Sequence, residues 1–341
     1  MLFLGGDPIE AGLAPSSSPA AQSSSCGGYI FLTVCGVYKK TLKGGNLMQK
    51  MRSNKLHIIL FLLPALILFV GILIAPIIMS GYYSFFDWNG FGDKLFIGFE
   101  NYKELFTSDA IGFMKALGNS LLMAALSVCI QLPLALWLAL KLGRGVRGER
   151  GFLSIYFMPV LISTVVIGQL WLKIYNPDYG ILNVFLRWIG LLGPDVHMAW
   201  LGKVETALGA TFVPILWQYV GYHMLLMYAG VKSVPTELRE AAMLDGATEK
   251  QVNRFIVIPY IKPILRISTI FAVTGSLKSF DLIYVLTNGG PLHSTEVPST
   301  LMINMLFLRN RYGMGSTIAV LLILLCFAFA LLINLVFKEE D

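Results

Sequence analysis

The chain has 341 residues, of which 56% are hydrophobic and only 13% charged, with a net charge of +6 and a mean hydropathy of +0.69. Soluble domains carry roughly 25% charge, so the composition excludes an ordinary soluble enzyme, a disordered chain and a disulfide scaffold. It points to an all-α polytopic membrane protein, in which the excess of Lys and Arg fixes topology rather than binding nucleic acid.

Residues 1–47 read differently from the rest. They hold the uncharged stretches Ala14-Pro15-Ser16-Ser17-Ser18-Pro19 and Ser23-Ser24-Ser25, and an apolar run from Gly27 to Val37 that is too short to span. Lys39 and Lys40 follow that run, whereas a signal peptide has its positive charge in front. Lys43-Gly44-Gly45 can be encoded by the purine-rich bacterial ribosome-binding sequence, placed just before the Met48 codon. The expectation is a head of translated upstream sequence, with a disordered tail as the other reading. Residues 48–55 then form a basic leader.

Six apolar segments follow, at about 56–79, 119–142, 152–174, 207–229, 264–286 and 316–337. Each is long enough to cross roughly 30 Å of hydrocarbon as a helix. Pro64, Pro76, Pro133, Pro159 and Pro214 lie inside them, where neighbouring helices can satisfy the freed carbonyls. Lys and Arg concentrate in the leader, in the loop between the second and third segments and in the loop between the fourth and fifth. These parts share one side of a six-span bundle, and the positive-inside rule makes that side cytoplasmic, with both termini. The six-span domain is expected at 56–337, with its core at about 115–337, followed by a cytoplasmic tail at 338–341. Cys26, Cys35, Cys129 and Cys326 show neither metal-ligand nor redox spacing.

The loop at 233–262 is the most informative. Pro235 suits a first helical turn, and Glu237 to Asp245 favour helix. Gly246 is placed for a left-handed cap, Thr248 and Gln251 make a capping box for a second helix, and Pro259 ends it. The small Ala241 and Ala242 beside the Glu240 carboxylate suit docking into a groove of another protein. An amphipathic helix resting at the membrane surface fits these local features equally.

Glu240-Ala241-Ala242, Gly246, Ile256, Ile258 and Pro259 resemble the signature loop of ABC importer permeases, which usually has Leu where Ile258 stands. Segments 96–102, 175–180, 280–291 and 310–316 are also similar to those of carbohydrate importers. They look closest to the first of the two permeases in sugar or glycerol-phosphate systems. The resemblance implies a type I importer permease with six transmembrane helices in the bacterial plasma membrane. It implies a second permease subunit, two cytoplasmic ATPase subunits and an extracytoplasmic substrate-binding protein as partners. It also implies that Glu240, Ala241, Ala242, Gly246, Ile256 and Pro259 couple to the ATPase. No phosphate-binding Gly-x-x-x-x-Gly-Lys-Ser/Thr motif is present in the sequence. The chain is therefore expected to bind no cofactor, to be no enzyme, and to use ATP hydrolysed by the partner.

A site for a sugar needs amides, carboxylates and aromatic faces. Gln169, Trp217, Gln218, Tyr222, Ser276, Lys278, Phe280 and Asp281 offer these within the apolar segments. For Trp217 and Tyr222 the competing reading is ordinary packing. For Lys278 and Asp281 it is a mutual ion pair, since residues three apart on one helix can meet. His223 has no second ligand nearby to make a metal site. Glycerol phosphate or another polyol is the alternative cargo, and a stand-alone secondary transporter the alternative mechanism.

Overall fold

The computed structural model describes residues 55–337, with side chains from Ile59 onward. The expected upstream head, most of the basic leader and the tail lie outside the described residues. The chain divides into two compact units at Ile72 and Leu73. The described part of the first is α1 (Lys55–Phe69) and the start of a wide π turn, with exposed side chains from Ile59 to Ile72.

The second unit is almost wholly helical: α2 (Ala75–Tyr83), α3 (Glu100–Thr107), α4 (Phe113–Leu126), α5 (Leu132–Leu142), α6 (Glu149–Leu161), α7 (Thr164–Ile174), α8 (Ile181–Trp188), α9 (Val204–Ser233), α10 (Thr236–Leu244), α11 (Glu249–Val252), α12 (Ile258–Tyr260), α13 (Lys262–Leu277), α14 (Asp281–Leu286), α15 (Pro298–Ile303) and α16 (Tyr312–Val336). One two-residue antiparallel pairing, Phe86–Asp87 with Leu95–Phe96, follows α2.

Among the described residues, four stretches are long and apolar enough to cross a bilayer: Ile59–Tyr83, Phe113–Leu142, Lys262–Leu286 and Tyr312–Val336. The pair α6 and α7 makes a fifth if it is taken as one span. The remaining segment, α9, is 30 residues long but less apolar, because it carries Gln218, His223 and several Tyr and Gly. It can afford them because it is central: it packs on α5 and α6, and Val220, Met224 and Met227 join Leu132, Ala135 and Leu138 in one buried cluster. Around it, α13 packs on α4 and α16, α14 on α7, and α16 on α2.

The third apolar segment is not one helix. It bends by 96° between α6 and α7, where Ile162 and Ser163 take extended backbone. Pro159 has already removed one hydrogen-bond donor from the last turn of α6. Each half then finds its own neighbour through a glycine. A Cβ at Gly221 of α9 would stand 1.8 Å from the Tyr156 carbonyl oxygen of α6, and one at Gly168 of α7 would stand 2.5 Å from Val285 of α14. The fifth segment is interrupted as well: α13 stops at Leu277, Phe280 leaves the helical region, and α14 starts at Asp281.

Wide π turns occupy Val70–Ile74, Ser127–Gln131, Asn253–Val257 and Asn304–Leu308. The first three each end two residues before a proline, at Pro76, Pro133 and Pro259. A proline ring crowds the carbonyl four residues back, and widening the turn there relieves it. The helix over 249–260 therefore runs through Pro259 and breaks at Ile261, two residues later than expected.

Candidate functional site

A cavity of about 420 Å³ lies among the α4–α5 turn, the α6–α7 break, α9, α13 and α14. Gln218, Tyr222, Ser276, Lys278, Phe280 and Asp281 line it. Gln169 and Trp217 do not: Gln169 is exposed on α7, and the Trp217 ring meets Trp171 edge-on at 6.1 Å. Ser127, Gln131 and Thr164 also line it, and none of the three was singled out from the sequence. Gln131 had a readable signal, since an amide inside an apolar segment needs a reason to be there.

The breaks in the fifth and third segments shape this site. Because α13 ends before Lys278 and α14 begins at Asp281, the two residues do not share a helix, and no salt bridge forms between them. The expected ion pair is thus absent, and both charges line the cavity instead. Lys278 and Phe280 also line a second, apolar cavity of about 600 Å³ against α15 and α16.

Polar groups inside the first cavity are held in place. Ser127 Oγ and Ser276 Oγ lie 3.2 Å apart, and the Ser276 hydroxyl also lies 2.9 Å from the Ala272 carbonyl. His223 Nδ1 is 2.8 Å from Ser268 Oγ. Gln218 is 2% exposed, and its Oε1 has no protein partner. The Tyr222 and Phe271 rings lie 6.4 Å apart, and Phe280 stacks on Tyr284 at 5.1 Å. Aromatic faces beside a free amide oxygen and hydroxyls form a surface suited to a hydroxyl-rich ligand.

The 234–261 loop folds by its local chemistry. Gly246 has φ +84° after α10, and Gln251 Oε1 accepts from the Thr248 backbone N–H and hydroxyl, each at 2.7 Å, at the start of α11. Glu240, Ala241, Gly246 and Pro259 face outward, while Ala242 and Ile256 pack inward. They join Ala247, Val252, Val257 and Ile261 over Leu136 and Leu140 of α5, so the loop is seated on the end of that helix. Sequence reasoning passed over the outward apolar residues beside the motif, above all Leu244 (88% exposed) and Phe255 (69%).

Polar contacts tie this loop to the α5–α6 loop, and the end of α9 to the start of α6. Arg144 pairs with Glu249, while Glu149 accepts from the Tyr228 hydroxyl and lies 3.2 Å from Lys232 Nζ. The two basic loops thus share one end of the second unit.

At the other end, Arg311 makes a two-pronged contact with Glu104 at 2.7 and 2.5 Å. Asn101 Nδ2 donates to the Ser84 and Phe86 carbonyls, and Asn119 Nδ2 to those of Ser294 and Glu296. The buried Glu296 carboxylate is held by His293 at 2.5 Å and by Asn304 at 3.1 Å.

Residues 131–339 match the family described as binding-protein-dependent transport system inner membrane component. A probable ABC transporter permease protein of Pyrococcus horikoshii is 39% identical over 278 residues, covering 81% of this chain and 93% of that protein. The diacetylchitobiose uptake system permease protein NgcF of Streptomyces coelicolor is 33% identical over 287 residues, covering 81% of this chain and 80% of its own length. Among solved structures, a bacterial ABC transporter involved in import of the acidic polysaccharide alginate superposes with a TM-score of 0.74 at 24% identity, over 87% of this chain and 99% of that one.

Proposed function

We propose a specific role from the premise that this chain belongs to the family of binding-protein-dependent inner-membrane transport components: it is a permease subunit of an ATP-driven sugar importer. Its helices are multi-pass membrane spans, six in number if α9 crosses and α6 with α7 count as one. The end bearing the 234–261 loop faces the cytoplasm, as the basic loops there require. The observation that carries this reading is the loop itself, since the motif residues Glu240, Ala241, Gly246 and Pro259 stand outward on a scaffold seated on α5.

In this role the loop docks on a separate ATPase subunit, which hydrolyses the ATP; the permease binds no cofactor and catalyses no reaction. A sister permease completes the pathway, and an extracytoplasmic binding protein delivers the cargo. The cavity lined by Gln218, Tyr222, Ser276, Lys278, Phe280 and Asp281 is this subunit's share of the route. Carbohydrate as cargo is supported by the aromatic and amide lining and by the diacetylchitobiose relative.

Affinity purification of the tagged chain from its native host should bring down a second permease and an ATPase. The complex in proteoliposomes should take up sugar only with ATP and a binding protein present. Uptake by the lone chain without ATP would overturn the reading.

A further inference from the structure

Helix α8 is inside out for a loop bathed in water. Ile181, Val184, Phe185 and Trp188 recur at the spacing of one helical face, and that face points outward, with Trp188 81% exposed. Leu191, just beyond the helix, continues it at 72%. The opposite side buries a polar residue completely: Asn183 Nδ2 donates to the carbonyls of Met198 at 2.9 Å and Pro177 at 3.1 Å, and its Oδ1 accepts from the Trp200 indole at 2.7 Å. The one charged residue of the helix, Arg187, lies off the apolar face and reaches back towards the Asp178 and Pro194 carbonyls at 3.4 Å.

We propose that α8 lies in the plane of the bilayer at the end opposite the 234–261 loop, with its apolar face seated at the boundary between lipid headgroups and acyl chains. Lipid is the occupant because the apolar face of α8 follows directly on a segment apolar enough to span the bilayer. The exposed Val165, Val166 and Leu170 of α7 belong to the spanning segment, and only the turn at Asn176–Gly180 separates α7 from α8. Trp188 and Phe185, with ring centroids 6.1 Å apart, are the residue types that gather at such a boundary. An in-plane helix needs an uncharged apolar face turned to the lipid, and Ile181, Val184, Phe185 and Trp188 supply one. The Asn183 bonds lock the helix to the 176–200 backbone, so α8 anchors the outer half of the broken third span to the membrane surface.

Spin-label accessibility on the assembled importer in phosphatidylethanolamine–phosphatidylglycerol nanodiscs tests this. Nitroxides are placed by Val184→Cys, Phe185→Cys and Trp188→Cys, each alone, in a background with the native cysteines replaced. Asp195→Cys, on an exposed turn, is the reference. The three helix positions should collide with oxygen several-fold more, and with an aqueous nickel chelate several-fold less, than position 195. Nickel access equal to that at 195 would overturn the proposal in favour of water. Protection from both reagents would overturn it in favour of a protein partner. Three separate positions keep the test open if one variant fails to assemble.

Discussion

The 234–261 loop and the 287–311 loop are both non-spanning connections between long helices, yet they spend their side chains differently. In the first, Glu240, Ala241, Leu244 and Phe255 project outward, and the fold is kept by a glycine cap, a capping box and a small apolar cluster. In the second, side chains turn inward onto backbone: Asn119 reaches the Ser294 and Glu296 carbonyls, Thr295 reaches Gly290, and Asn304 holds the buried Glu296. A surface kept free for another molecule must be self-sufficient with few side chains. A closure whose middle, from Ser294 to Leu301, is buried can turn its side chains to that task. In the proposed role the first loop is the contact face, and the second belongs to the rigid frame.

Substitution at the frame should have the largest effect. A Cβ on Gly313 would stand 1.9 Å from the Phe86 carbonyl oxygen, with backbone rather than a yielding side chain in the way. Gly313→Ala should cost about 3 kcal/mol, at the upper end of overpacking penalties, and appear as a lower thermal midpoint in detergent. An unchanged midpoint would show that the outer end yields.

A middle-sized effect is expected from the Glu104–Arg311 contact, which is roughly one-third exposed on each side. Hydrogen bonding from Arg311 holds the Glu104 carboxyl below its ordinary value of 4.5. A lowered carboxylate pKa adds stability that is fully present above the ordinary value and is lost as pH falls through the lowered one. The thermal midpoint should therefore drop below pH 4.5, and Glu104→Gln should flatten that dependence by about 1 kcal/mol, given the solvent screening. A pH profile identical to that of the parent would remove this contact from the frame.

The contact face should show the smallest stability effect. Leu244→Ser removes a side chain that touches little, so stability should stay within about 0.5 kcal/mol. Recovery of the ATPase in pull-downs should nonetheless fall. A destabilised protein with undiminished recovery would place Leu244 in the frame.

The sequence made the contact face readable because its structure is local. Gly246, Thr248 and Gln251 act within a few residues of themselves, so their spacing suffices. The frame and the broken spans depend on distant pairs. The bend at Ile162 and Ser163 is fixed by Gly221 against Tyr156 and by Gly168 against Val285, which periodicity cannot pair. The same limit produced the mistaken Lys278–Asp281 pair, which presumed a helix that stops at Leu277. Six of the eight residues proposed for a ligand share one cavity, because the chemistry that makes them costly in an apolar segment is visible residue by residue. Trp217 and Gln169 lie outside that cavity, because residue type does not tell which face of a helix a side chain takes.

The wide turns ahead of the prolines carry a further meaning. One additional residue in a turn rotates everything downstream by about 100° around the helix axis. Across Ser127–Gln131 a single span thus changes its orientation midway: α4 is directed at α13, and α5 at α9. A straight rod would give one stripe to one neighbour. This one works as a swivel joint between two, and Ser127 and Gln131, the residues at its pivot, are the ones that open onto the cavity.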